Sequence, residues 1–101
     1  MEGLRMGSIS GSAPTQIDVD TASKTVVAEN YSRSGLVLTN LSTGTIYLGF
    51  NNPAAIGSGI ALNASGGVWS MDNYTCSKEP ITAIAHADNS LLAIQEFVIR
   101  S

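Results

Sequence analysis

Turn-forming residues recur along this chain and divide it into a series of short β-like runs. Ser42-Thr43-Gly44, Asn51-Asn52-Pro53, Gly57-Ser58-Gly59, the run from Asn63 to Gly67, and Asp88-Asn89-Ser90 all carry turn chemistry. Between them lie short runs with β-branched and aromatic residues, many alternating polar and apolar. These runs cover residues 15–20, 24–28, 35–41, 45–50, 60–62, 68–71, 81–86 and 91–99. Ile17 and Val19 share one face, opposite Asp18 and Asp20; Leu36, Leu38 and Asn40 likewise oppose Val37, Thr39 and Leu41. Ile81, Ala83 and Ala85 oppose Thr82, Ile84 and His86. No stretch of ten residues keeps a 3.6-residue period without a Gly or Pro breaker. The Ala-rich segment 81–95 is the weakest strand assignment, because alanine favours helix.

Strand-like runs at roughly 8–12-residue spacing predict an all-β fold, an antiparallel β-sandwich of about eight short strands, jelly-roll-like or immunoglobulin-like. Residues 35–50, with the turn at Gly44, are the best hairpin candidate. Residues 1–14 are rich in Gly and Ser, end at Pro14, and read as a flexible N-terminal arm. Residues 15–101 then form a single sandwich domain.

Composition narrows function. Charged residues make up 13% of the chain, against roughly 25% in an average soluble domain. Low charge fits a surface covered by other copies or by a partner, since interface cores are depleted of charge. The five basic residues, Arg5, Lys24, Arg33, Lys78 and Arg100, are scattered, which argues against nucleic-acid binding. No apolar stretch approaches the length of a membrane-spanning helix. The N-terminus lacks the apolar core of a secretory signal, and a lone Cys76 forms no internal disulfide, so a reducing cytoplasm is expected.

Catalytic signals are weak. His86 is the only histidine, and Cys76 has Lys78 near it but no assigned base. Asp18 and Asp20 form a carboxylate pair that a solvated strand face explains. Gly57-Ser58-Gly59 lacks the Lys and Ser/Thr of a phosphate loop. Tyr47, Phe50 and Trp69 fall in strand-like runs, where core packing is their default role. The expectation is a non-enzyme with no cofactor and no metal.

The run from Arg33 to Ser42, then Ile46-Tyr47-Leu48-Gly49-Phe50, Gly59-Ile60-Ala61-Leu62, Gly66-Gly67-Val68-Trp69, Ile84-Ala85 and Ile94-Gln95-Glu96 resembles small virion proteins of tailed bacteriophages. The resemblance covers about residues 31–97 and implies a head decoration, or cement, protein. It implies a homodimer or homotrimer on the outer capsid surface, with the major capsid protein as partner and no nucleic acid or membrane bound. Location would be the virion, after synthesis in the host bacterial cytoplasm. A neck, tail or fibre-base component and a carbohydrate-binding β-sandwich module are the alternatives.

Leu4, Met6 and Ile9 in the arm, with Asn51, Asn52, Pro53, Ile56 and Tyr74 in loops, are the candidate capsid or oligomer contacts. Arg33 opens one strand and Glu96 lies in the last; if those strands are neighbours, the two are a candidate structural ion pair.

Overall fold

A computed structural model describes residues 8–72 and 76–100. Among the described residues nine strands follow in order: β1 (Ser8–Gly11), β2 (Thr15–Val19), β3 (Lys24–Val27), β4 (Arg33–Asn40), β5 (Ile46–Phe50), β6 (Ile60–Leu62), β7 (Val68–Met71), β8 (Ile81–Ala85) and β9 (Ser90–Arg100). They form two antiparallel sheets. In the first, β9 carries β4 on one side, and β1 and β2 end to end on the other, while β7 continues beyond β4. The second runs β3-β8-β5-β6.

From β2 onward, β5–β6 is the one consecutive pair that stays within a sheet; every other link crosses between sheets. That order is a jelly roll, which decides between the two sandwich types expected from the sequence. It also corrects the expected hairpin at 35–50. β4 and β5 do not pair, because both sides of β4 are occupied, by β9 and β7. Residues 41–45 form an arch from one sheet to the other.

The arm expected over residues 1–14 is, at Ser8–Gly11, a strand. Ile9 stands opposite Ile99, and Gly11 opposite Phe97. A Cβ on Gly11 would lie 3.3 Å from the Phe97 ring, so the missing side chain lets this short segment lie flush beside β9. Ser12 N then donates to Glu96 O at 2.7 Å before Pro14 redirects the chain into β2.

The core lies between the sheets. Val19, Leu36, Leu38, Ile46, Leu48, Leu62, Ile81 and Leu92 are buried, and Phe50, Trp69 and Cys76 pack against the cluster. All but Cys76, which lies in the connection between β7 and β8, come from the inward-facing alternate positions of their strands. Ala83 and Ala85 are buried on β8 as small strand residues, so segment 81–95 is strand, turn and strand. Its alanines keep the sheets close and do not build a helix, because Ile81 and Leu92 bury only in the extended form.

Candidate functional site

Crossing connections leave many backbone groups near the ends of the core, and buried polar side chains tie them down. At one end stands Arg33, the first residue of β4, fully buried at a register shift between Arg33 and Gly35. Its Nε donates to Glu96 Oε2 at 2.7 Å. Its two terminal nitrogens donate to three carbonyls: Ser77 O at 2.7 Å, Glu79 O at 2.9 Å and Ala28 O at 2.6 Å. Arg33 O in turn accepts from Lys78 Nζ. One guanidinium therefore joins the β3–β4 and β7–β8 connections to the last strand. Arginine suits this role, since its planar fork carries five donors and stays charged.

At the opposite end of β4, Asn40 is also fully buried. Its Nδ2 donates to Gly44 O at 2.8 Å and Leu62 O at 2.9 Å; its Oδ1 accepts from Ser42 N at 2.8 Å and Ser42 Oγ at 2.7 Å. Its backbone bonds the 63–67 turn, through Gly67 O at 2.8 Å and Gly66 N at 2.7 Å. Two crossings thus close on one amide. Asp20 and Asp88 tie a third pair: Asn89 N donates to Asp20 Oδ1 at 3.2 Å, and Thr21 N to Asp88 Oδ1 at 3.0 Å. Asp20 also sits 3.6 Å from Lys24 Nζ. From sequence Asp20 reads as half of a carboxylate pair and Asn40 as a strand-face residue; an Asx residue flanking a turn is the signal for the bonds they make here. Asp18 is exposed, while Asp20 is engaged by Asn89 N and Lys24 Nζ.

The end held by Arg33 gathers the described contact candidates. β9 and β5 both finish there. Ile9 and Ile99 are 49% and 45% exposed as cross-strand neighbours. Ile99 N donates to Ser32 O at 3.0 Å, which sets exposed Tyr31 next to them in the chain. A hydrogen bond from its hydroxyl to Glu29, with that carboxylate's charge, raises the Tyr31 pKa. Loop 51–59 leaves β5 at this same end with Asn51, Asn52, Pro53 and Ile56 exposed. The loop is pinned: Asn51 N donates to Pro80 O at 2.9 Å, Ala54 N to Ser23 Oγ at 2.8 Å, and Thr82 Oγ1 to Asn52 O at 2.7 Å. Leu4, Met6 and Tyr74 lie outside the described residues.

His86 is exposed and meets Tyr47 edge-on, with ring centroids 5.9 Å apart. Cys76 is half-buried, and burial pushes its thiol pKa up, with Lys78 and Arg33 partly opposing. Among the described residues, no three His, Cys, Asp or Glu side chains converge as metal ligands. A shallow groove of about 780 Å³ crosses the outer face of the first sheet, between Pro14, Gln16, Val37, Thr39, Ala93 and Phe97. No residue lining it is a general acid or base near neutral pH. Trp69 is half-buried, in an edge-on contact with Phe50 at 5.0 Å.

Charge is unevenly placed. Residues 34–71 contain no Asp, Glu, Lys or Arg. That run makes up nearly all of β4, and β5, β6 and β7 entire, so the open edge strands β6 and β7 themselves carry no charge, and Asp72 follows directly after β7. The other flank, at β2 and β3, bears Asp18, Asp20 and Lys24.

No protein-family model matches this sequence, and no curated protein does. Among solved structures, the chain is similar to a protein of the disulfide-linked pili that Bacillus endospore appendages form. The TM-score is 0.59 at 16% identity, over 96% of this chain and 93% of that one. A capsid-like particle of the extra small virus of the giant freshwater prawn Macrobrachium rosenbergii aligns at TM-score 0.45 and 10% identity, over 97% and 83%. A de novo designed double-stranded β-helix aligns at 0.45 and 13%, over 88% and 100%. At these identities the likeness is one of fold: the chain is an all-β, antiparallel sandwich with jelly-roll strand order.

Proposed function

We propose that this chain is a non-enzymatic structural protein used in many copies, and that it decorates the outer surface of a phage head. The observation that carries the reading is the end of the sandwich held by Arg33. Ile9 and Ile99 are exposed there as cross-strand neighbours, Tyr31 is exposed beside Ser32, and the pinned, uncharged loop 51–59 leaves β5 at the same end with Ile56 exposed. Exposed apolar groups with a polar rim mark contact surfaces. The Arg33 network holds that end rigid, so binding to a capsid seam costs little ordering entropy. Repetition over a lattice then turns many weak contacts into strong retention.

The fold likeness to a pilus protein supports an assembling role, and the sequence pattern supports the phage setting. The pili are linked by disulfides, whereas this chain has one cysteine, Cys76. One thiol joins at most two copies, so the assembly proposed here is non-covalent.

The test is quantitative mass spectrometry of phage particles from the strain that carries the gene, against the major capsid protein. Copies in number comparable with the capsid protein are expected. A small fixed number per particle would replace the head with the neck or tail. Absence from particles would overturn the phage reading.

A further inference from the structure

We infer that β7 is a self-pairing edge, and that two copies of this chain join there, β7 against β7, about a two-fold axis. Among the described residues, β7 pairs with β4 alone and leaves its other side open. Proteins usually guard such an edge with a charge, a proline or a bulge. β7 has none of these: its residues are Val68, Trp69, Ser70 and Met71, in unbroken register with β4. Val68 is 58% exposed.

Charge placement selects the occupant. Each copy carries a net charge of −3, so two copies repel unless they meet where charge is absent. The strands of the β6–β7 flank are that place, since residues 34–71 hold no charge and the nearest charge in sequence, Asp72, lies past the end of β7. The flank offers no complement to a charged partner, but it matches itself.

Geometry then fixes the register. A two-fold axis perpendicular to the sheet keeps outward residues outward, so Val68 and Ser70 must face Val68 or Ser70 of the second copy. Placing Val68 opposite Ser70 sets Trp69 opposite Trp69 of the other copy, on the core side. Pairing Val68 with Val68 would set Trp69 and Ser70 against Gly67 and Gly66 of the 63–67 turn, outside β7, and pairing Ser70 with Ser70 would bring Asp72 opposite Val68. The chosen register joins the two first sheets into one continuous sheet with an aromatic pair at its centre.

The chain has a single tryptophan, Trp69, so the pairing reports itself. Sedimentation equilibrium of the full chain at about 100 µM, well above the Kd of a specific interface, should show a dimer. Far-ultraviolet circular dichroism should show an exciton couplet between the two indoles that fades on dilution. Val68→Lys, a guarded edge, should raise the dimer Kd about tenfold or more and abolish the couplet. Gln16→Lys, on the opposite edge at β2, should leave both unchanged. A wild-type monomer, an open-ended polymer, or a dimer lost with Gln16→Lys and kept with Val68→Lys would overturn the inference. None of these outcomes alters the particle copy number, so the capsid reading stands or falls separately.

Discussion

Replacing Arg33 by Met tests whether one buried guanidinium holds the jelly roll's crossings together. Methionine keeps the apolar stem and removes every donor. Three carbonyls, at Ala28, Ser77 and Glu79, lose their partner, and Glu96 loses its cation. Net hydrogen bonds contribute about 1 kcal/mol each, so the carbonyls alone set a floor near 3 kcal/mol. Breaking a buried ion pair from one side costs about 3–5 kcal/mol. Glu96 is 21% exposed and partly rehydrates, which favours the lower half of that range. A loss of about 3–4 kcal/mol is a large share of the roughly 5–15 kcal/mol typical of a domain. Glu96→Gln, by contrast, keeps an oxygen for Nε and leaves the carbonyls alone. It should cost about 1–2 kcal/mol, the difference between a charged and a neutral acceptor. Equilibrium urea unfolding followed by Trp69 fluorescence measures both. Equal losses in the two variants would refute the carbonyl network and leave only an ion pair. A loss below about 1 kcal/mol for Arg33→Met would refute the whole argument.

Asn40→Asp should destabilise by about 2–4 kcal/mol, because a carboxylate oxygen would replace the Nδ2 that donates to Gly44 O and Leu62 O; thermal unfolding at neutral pH checks it. Gly49→Ala should cost about 1–3 kcal/mol, since its Cβ would come within 2.7 Å of Thr82 Oγ1 and 2.8 Å of Asn52 O. Gly44→Ala should stay within about 0.5 kcal/mol, as nothing lies within 4 Å, and the two variants compared in one denaturant series make the test. Burial raises the Cys76 thiol pKa, so its thiolate fraction at neutral pH is reduced. Alkylation by iodoacetamide, followed by mass spectrometry, should run slower in the folded protein than in urea. The same shift makes a small contribution to stability that is lost as pH rises through the folded thiol's pKa.

Much of this fold is legible in short windows of sequence. The faces of β2, β4 and β8 follow from strict alternation at Ile17/Val19, Leu36/Leu38 and Ile81/Ala83/Ala85. Strand ends are clear where Asn, Gly and Pro break the pattern, as at Asn51-Asn52-Pro53. β1 was hidden, because Ser and Gly carry no strand signal of their own. Gly11 fits only because Phe97, far along the chain, lies opposite it. The Arg33–Glu96 contact was expected on condition that their strands were neighbours, and the structure places β4 beside β9. The three carbonyls on Arg33 had no local signature, since they belong to segments brought in by other strands.

The sequence by itself determined that the chain alternates, turns often and carries little charge, and so makes short strands with one buried face. Periodicity and turn chemistry are local, and they act before distant residues meet. Which strands pair was decided only in the folded chain. The turn at Gly44 reads as a hairpin locally, yet it became an arch between sheets. Asn40 holds that arch by reaching Leu62 O, and β9 and β7 already fill both sides of β4. The same assembly gathered the charge-free run of residues 34–71 onto one flank, and set exposed Ile9, Ile99 and Tyr31 at the end held by Arg33 and exposed Leu41 and Val68 toward the other. A jelly roll's crossings set its surfaces through long-range packing, which no short window contains.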